Sequence, residues 1–140
     1  MDWFDSDYYH ILYKNRDYNE ARNFIDNIIK YLNIKKGSKI LDLACGIGRH
    51  SIYLEKIGFK VVGTDKSLNN INKAKANQNQ SLSFLQMEMI EDTNNRYDGI
   101  FNLFTSFGYV NHDYNLKTIK NIERQLKDCL LYTSPSPRDA

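Results

Sequence analysis

Apolar positions recur with a helical period in the first part of the chain. They fall at i, i+3, i+4, i+7, i+8 and i+11, and they are Ala21, Phe24, Ile25, Ile28, Ile29 and Leu32. This spacing places one apolar stripe along a helix, so it predicts an amphipathic helix over residues 18–33. Gly37 and Ser38 then interrupt the pattern and separate this helix from the next element.

Short apolar runs alternate with helical patterns through the rest of the chain. They predict strands over residues 39–44, 59–64, 82–87 and 97–104. Helices are predicted over 48–57 and 67–78, and a last amphipathic helix is marked by Leu116, Ile119, Ile122 and Leu126. Strands that alternate with helices predict an α/β fold, in which a doubly wound parallel sheet is covered on both faces. In such sheets ligands bind at the carboxyl ends of the strands.

Three small residues add detail to these elements. Gly58 is a natural C-terminal cap for the second helix, and Ser67 can cap the start of the third. Gly99, inside the fourth predicted strand, indicates close packing against a neighbour.

Charge and composition narrow the classes of partner. The 140 residues carry 19 Lys and Arg against 17 Asp and Glu, a net charge of +2. This balance argues against nucleic acid and against a membrane surface, and no apolar run approaches the roughly 20 residues of a membrane span. The two cysteines, Cys45 and Cys129, make no disulfide framework, so we expect a reducing, cytoplasmic compartment. No His, Cys, Asp or Glu cluster has the spacing of a metal site.

A glycine loop carries the strongest chemical signal. The first strand leads directly into Gly46-x-Gly48 and then into a helix, so the backbone can approach a ligand and the helix offers unpaired N–H groups. The third glycine of a dinucleotide-binding loop is replaced by Ser51, which disfavours a nicotinamide or flavin cofactor. Asp65 ends the second strand, where a carboxylate can accept both hydroxyls of a ribose. A turn residue or helix cap is the alternative interpretation of Asp65.

These motifs resemble those of class I S-adenosylmethionine-dependent methyltransferases. Residues 41–48 are similar to the family's first motif, with Ala44 in place of its first glycine, and Asp65 matches the acidic residue of the second. Residues 85–89 resemble the third-strand motif, with Glu88 where Asp is usual, and residues 97–100 resemble the start of the fourth strand. The aromatic segment at the N-terminus is similar to the lead-in of a bacterial small-molecule branch. The resemblance covers residues 3–128.

The resemblance implies a Rossmann-like fold and a role for each matched residue. Gly46 and Gly48 would line the methionine part of the cofactor, and Asp42 would orient its amino group. Asp65 would hold the ribose. The adenine would meet Glu88 and Met89, because a carboxylate accepts from the exocyclic amine and a Met side chain packs on the ring. Core packing is the alternative for Met89.

Tyr9, Tyr13 and Arg16 are spaced i, i+4 and i+7, which puts them on one face of a helix. They would form a lid over the cofactor, in which Arg16 pairs with the cofactor's carboxylate. An aromatic staple that packs this segment on the sheet is the alternative.

The implied reaction is transfer of a methyl group to a small-molecule acceptor by in-line displacement. No residue is assigned as catalytic, although an alcohol acceptor needs a base, for which His50 and His112 are candidates. Cys45 has no basic partner and is not expected to be a nucleophile. Residues 102–109 contain no proline, unlike the nucleobase amine methyltransferases, which also argues against nucleic acid. The alternatives are a cofactor-binding module without activity and, less favoured, a nicotinamide or flavin oxidoreductase.

The resembled fold needs about seven strands and on the order of 200 residues, and only four strands are predicted here. We therefore expect a partial domain. Residues 1–36 would form a helical lead-in, residues 37–128 part of the S-adenosylmethionine-binding domain, and residues 129–140, which contain both prolines, a non-native tail.

Overall fold

A computed structural model describes residues 18–102 and 112–127 of the chain. In chain order the helices are α1 (Tyr18–Leu32), α2 (Arg49–Lys56), α3 (Leu68–Ala74) and α4 (His112–Gln125). The strands are β1 (Lys39–Leu43), β2 (Lys60–Asp65), β3 (Leu82–Gln86) and β4 (Gly99–Phe101). Within the described ranges no helix is both long and apolar enough to cross a membrane.

The four strands form one parallel sheet in the order β3-β2-β1-β4. Residues 40–43 of β1 are buried, because this strand lies between β2 and β4 and is covered by other elements. The prediction of an α/β fold with a parallel sheet is confirmed. The carboxyl ends of all four strands lie at one edge, which is where the candidate site is found.

Two elements differ from the predictions by more than one residue at an end. The third helix ends at Ala74 and continues as a 3₁₀ turn over Lys75–Asn77, so it does not reach Gln78 as one α-helix. The fourth strand is only three residues long, and Tyr97 forms an isolated bridge with Leu126 before the strand begins. The end of that predicted strand, at residues 103 and 104, lies outside the described residues.

The small residues behave as predicted. Ser67 caps α3, because its hydroxyl oxygen accepts from the Asn70 amide at 3.2 Å. Gly58 follows the end of α2 with φ of +113°, a conformation that favours glycine. A side chain at Gly99 would bring its Cβ within 3.1 Å of Ile40 Cδ1, so this glycine does permit close packing.

The hydrophobic core consists of two clusters of unequal size. The larger cluster joins the helices α1, α2 and α3 to the sheet, and its buried members include Ile25, Ile40, Leu54, Phe59, Val61, Ile71, Leu82 and Phe84. In the part of the chain that the structure describes, the smaller cluster has three buried members, which are Leu41, Leu43 and Tyr97. Ile122 of α4 packs against this smaller cluster.

The last helix differs from its apolar pattern. Its buried side chains are Asn115, Thr118, Asn121 and Gln125. Leu116, predicted on the apolar face, is 41% exposed, whereas Leu126 is buried just beyond the helix end. Buried polar side chains are stable only when they are hydrogen-bonded, so this helix must face polar groups of another segment. That segment is part of the candidate site.

Candidate functional site

The segments after β1, β2 and β3 meet at the carboxyl edge of the sheet. The glycine loop over residues 44–48 comes after β1, and its Cys45 amide donates to the Thr64 carbonyl of β2 at 2.8 Å. The segment after β3 is tied to β2 in the same way, because the Met87 amide donates to the Asp65 carbonyl at 3.0 Å. Asp65 therefore lies between the two segments.

The Asp65 carboxylate holds the glycine loop in place. Its Oδ2 accepts from the Gly46 amide at 2.8 Å, and its Oδ1 accepts from the Ser67 amide at 2.8 Å. The second contact is the turn interaction that is the alternative interpretation of Asp65. A carboxylate has about four acceptor positions, so these two contacts leave capacity for the two hydroxyls of a ribose.

The two glycines of the loop have different surroundings. Gly46 has φ of +60°, and an added Cβ would meet no atom within 4 Å, so the space beside it is open to a ligand. Gly48 is buried, and an added Cβ would lie 2.7 Å from the Phe84 ring. The missing side chain of Gly48 is thus required for packing, and its role as a residue that lines the cofactor stays a prediction.

Asp42 is buried near the carboxyl end of β1 with 2% of its surface exposed. Its Oδ2 accepts from the Ser51 hydroxyl at 2.6 Å. Burial raises the pKa of the Asp42 carboxyl to about 7, against the lowering effect of Ser51 and with a smaller raising effect of the Asp65 charge. A cationic group beside Asp42 would favour its ionised form.

Ser51 occupies the position of the third glycine, and its contact with Asp42 could not be predicted from the sequence. The space it needs is provided on the neighbouring strand, because a Cβ on Gly63 would lie 2.9 Å from Ser51 Oγ. α2 and β2 can therefore still approach closely, because Gly63 on β2 leaves room for the Ser51 hydroxyl on α2.

The residues after β3 are held by α4. The Glu88 carboxylate is exposed, and its Oε2 accepts from the Tyr114 hydroxyl at 2.8 Å. Met89 is 8% exposed, and its carbonyl accepts from the side-chain amide of Asn121 at 2.8 Å. The same amide also donates to the Glu91 carbonyl at 2.7 Å. The apolar period of α4 gives no signal for Tyr114 or Asn121.

The three remaining candidates differ in exposure. Burial, together with the Asp42 and Asp65 charges, raises the pKa of the Cys45 thiol far above its usual range, which agrees with a non-nucleophilic role. His50 is 1% exposed, and burial with the Arg22 and Arg49 charges lowers its pKa to about 4. The imidazole is therefore in the form that can accept a proton, but its burial keeps it away from an acceptor. His112 is exposed at the start of α4, and it borders an open cavity of about 500 Å³.

Tyr9, Tyr13 and Arg16, predicted to form a lid, lie outside the described residues, as do residues 128–140. Among residues 18–102 and 112–127, no group of three or more His, Cys, Asp or Glu side chains could hold a metal ion.

Comparison with known proteins gives a consistent set of relatives. A family model described as "Methyltransferase domain" matches residues 40–129. A Bacillus subtilis (strain 168) protein, "Putative methyltransferase YqeM", is 34% identical over 100 residues, which cover 68% of this chain and 40% of the relative. The match therefore spans less than half of that relative's length.

A solved structure shares the fold. It is a TehB-like SAM-dependent methyltransferase from Corynebacterium glutamicum, with a TM-score of 0.66 and 30% identity. The likeness covers 81% of this chain and 59% of that chain.

Relatives with named acceptors are diverse. Phosphoethanolamine N-methyltransferase 1 of Zea mays is 35% identical over 86 residues, which cover 60% of this chain and 17% of the relative. A tRNA (uracil(54)-C(5))-methyltransferase of Pyrococcus horikoshii is 27% identical over 113 residues, which cover 80% of this chain and 27% of the relative.

Proposed function

Because the chain belongs to the class I S-adenosylmethionine-dependent methyltransferases, we propose that its carboxyl sheet edge binds S-adenosylmethionine. Residues 37–128 would supply the cofactor side of the enzyme. The full protein would transfer the methyl group to a small-molecule acceptor. The two cysteines and the balanced charge favour a cytoplasmic place of action.

The contact between Asp65 and Gly46 carries this proposal. It fixes a glycine loop, open beside Gly46, against a carboxylate that retains acceptor capacity. In the proposed site Asp65 binds the ribose hydroxyls, and Glu88 accepts from the adenine amine beside Met89. Asp42 faces the amino group of the methionine part, and an ammonium there offsets the cost of ionising a buried carboxyl.

The cofactor supplies an electrophilic methyl group when it is bound. The work left to this chain is alignment and exclusion of water, since a sulfonium needs no further activation. Of the two histidines considered as a base, His50 is enclosed, whereas His112 is exposed and borders the open cavity. An amine acceptor can attack as a neutral group and needs no base, whereas an alcohol acceptor would need one such as His112.

The cofactor assignment is tested by thermal shift with S-adenosylhomocysteine, NAD and NADP. We expect stabilisation by S-adenosylhomocysteine alone. Asp65→Asn keeps one acceptor oxygen for Gly46 and places its amide nitrogen opposite the Ser67 amide. We expect the affinity of this variant for S-adenosylhomocysteine to fall at least about tenfold, because the charge-assisted hydrogen bonds to the ribose and the contact with Ser67 are lost. Asp65→Ala should abolish the shift.

Asp26→Asn is the matched control. Asp26 is an exposed aspartate on α1 that accepts a hydrogen bond from Tyr53 at 2.6 Å, so the variant makes the same chemical change on a helix that does not belong to the site. Its affinity should match that of the wild type. Stabilisation by NAD but not by S-adenosylhomocysteine would favour an oxidoreductase and contradict the proposal.

The acceptor class needs a separate measurement, because relatives include a tRNA enzyme and a small-molecule enzyme. The net charge of +2 supports a small molecule, since RNA binding depends on many cationic contacts. The full protein would be incubated with radiolabelled S-adenosylmethionine and either total RNA or a metabolite extract. Label in the metabolite fraction is expected, and label in RNA alone would overturn the small-molecule assignment.

A further inference from the structure

We propose that Tyr114 is a positioning residue that holds the Glu88 carboxylate toward the exocyclic amine of adenine, which makes α4 a determinant of base specificity. This inference rests on the proposed function, because Glu88 is the residue assigned there to the adenine. Tyr114 does not touch the cofactor in this scheme. It acts through the side chain of Glu88.

The hydrogen bond between the two side chains is the first observation. Tyr114 donates its hydroxyl to Glu88 Oε2 at 2.8 Å, which leaves Oε1 to accept from a ligand. Glu88 is exposed, and a free glutamate loses rotamer entropy when it is fixed. Glutamate is also one methylene longer than the aspartate usual in the resembled motif. The hydrogen bond from Tyr114 restricts the rotamers of Glu88 and fixes the position of its longer side chain.

The tyrosine remains a donor over the physiological range. Burial and the adjacent Glu88 carboxylate raise the pKa of the Tyr114 hydroxyl to about 12. The phenol therefore keeps its proton, and the direction of the hydrogen bond is fixed with Glu88 as the acceptor.

The backbone beneath Glu88 is held by the same helix, which is the second observation. Tyr114, Thr118, Asn121 and Gln125 have the spacing i, i+4, i+7 and i+11, so they lie on one face of α4. Asn121 donates to the carbonyls of Met89 and Glu91, and Gln125 Oε1 accepts from the Thr93 amide at 2.9 Å. One helix face thus fixes both the main chain and the carboxylate of the adenine segment.

Within that segment, a local contact adds rigidity. The Glu88 amide donates to Glu91 Oε1 at 2.8 Å, which closes a tight turn. The Glu88 amide, the Glu88 carboxylate and the Met89 carbonyl are therefore all hydrogen-bonded. Tyr114 also borders the open cavity of about 500 Å³ with Ile90 and Lys117, so the start of α4 lies beside accessible space.

The test compares two ligands that differ at one position of the base. S-Adenosylhomocysteine carries the 6-amino group, and S-inosylhomocysteine carries a 6-oxo group in its place. Calorimetric titration of the wild type should show preference for the amine. In Tyr114→Phe the affinity for S-adenosylhomocysteine should fall about tenfold, and that for S-inosylhomocysteine should stay unchanged.

Tyr53→Phe is the matched control. Tyr53 also donates to a carboxylate, Asp26 Oδ1 at 2.6 Å, so the variant removes the same kind of hydrogen bond elsewhere. The ratio of the two affinities should remain that of the wild type. If tyrosine–carboxylate contacts have only a general structural role, Tyr53→Phe and Tyr114→Phe should change the ratio of the two affinities alike. That result would contradict the inference.

Glu88→Ala separates the role of Glu88 from that of Tyr114. We expect it to remove the preference for the amine, and the double variant with Tyr114→Phe should lose nothing further. If Glu88→Ala removes the preference and Tyr114→Phe retains it, the role of Tyr114 is overturned while the proposed function stands. If the wild type does not bind S-adenosylhomocysteine, the proposed function fails and this inference fails with it.

Discussion

Asp42 is an ionisable group at the centre of a sheet, and its surroundings make ionisation costly. The carboxyl is buried against α2, and the Ser51 hydroxyl at 2.6 Å offsets only part of the lost hydration. Its pKa is consequently raised from 3.8 to about 7. In the free protein the side chain therefore changes its charge close to neutral pH.

This shift predicts a pH-dependent stability. Between about pH 4 and pH 7 the unfolded carboxyl has lost its proton, whereas the native carboxyl still holds it. The native state then binds more protons, so this group's contribution to the free energy of unfolding falls as the pH rises, and it levels off above pH 7. Asp42→Asn should gain a few kcal/mol relative to wild type over that interval, measured by urea unfolding at pH 4.5, 6.0 and 7.5.

Ser51→Ala is the companion variant for this measurement. The Ser51 hydroxyl lowers the pKa of Asp42, so its removal should move the decline in stability to higher pH. Because other titrating groups are shared by all variants, differences between the curves isolate Asp42. Parallel curves for wild type and Asp42→Asn would show that the native carboxyl is not protonated.

Single residues at strand ends are the most predictable part of the site. Asp42, Gly46 and Asp65 can be identified because strand, loop and spacing place them together, and the hydrogen bond between Asp65 and Gly46 agrees with that placement. Ala44 illustrates the limit. It has φ of +55°, a conformation that costs a non-glycine residue about 1 kcal/mol, and its sequence gives no sign of this beyond the glycine it replaces.

Between elements, Phe84 of β3 fills the space left by two glycines. An added Cβ on Gly63 of β2 would lie 2.7 Å from its ring, and one on Gly48 would lie equally close. The ring is buried in the larger core cluster, so it cannot move without disturbing neighbours. The start of α2 and the sheet are therefore joined by an aromatic side chain rather than by the usual third glycine.

We expect Gly63→Ala to destabilise the protein by about 1–3 kcal/mol, because the added methyl group overpacks the core. Phe84→Leu removes the obstructing ring atoms, so the double variant should lose less than the sum of the single variants. Gly99→Ala is the control, since its Cβ would meet the flexible end of the Ile40 side chain at 3.1 Å, and its cost should be smaller. Strictly additive losses in chemical denaturation would contradict a direct contact with Phe84.

The last helix shows why hydrophobic period alone is insufficient at this scale. Its apolar residues predict the element correctly, but its fully buried positions are polar. The reason is that α4 covers the main chain after β3, whose carbonyls require donors such as Asn121. Polar side chains at helical spacing are also typical of a solvent-exposed face, so Tyr114 and Asn121 could not be selected from the sequence.

At the scale of the whole molecule, the sequence predicts the type of sheet but not the order of its strands. The alternation of strands and helices predicts the parallel sheet, because parallel neighbours require crossover connections. It does not predict the order β3-β2-β1-β4 or the brevity of β4, since pairing partners depend on packing across the chain. The difference in size between the two core clusters is likewise not predicted by local sequence patterns.

The difference in size between the two core clusters predicts that local unfolding of β4 and α4 precedes unfolding of the rest. β4 has three residues, and among residues 18–102 and 112–127 α4 packs on a cluster with three buried members, so few apolar contacts between described residues oppose their opening. In native-state hydrogen exchange the amides of β4 and α4 should exchange through openings of lower free energy than those of β1 and β2. The measurement is the denaturant dependence of exchange for each group of amides.

Two isoleucine variants make the comparison stringent. Ile122 packs on the smaller cluster and Ile52 on the larger, and both are partly buried. Ile122→Ala should lower the opening free energy of the β4 and α4 amides by about 1–2 kcal/mol and leave β1 and β2 unchanged. Ile52→Ala should lower the value for β1 and β2 as well, because that cluster supports the whole sheet. If both variants lower all amides equally, the described part of the chain unfolds as one unit, and the smaller cluster is not independent.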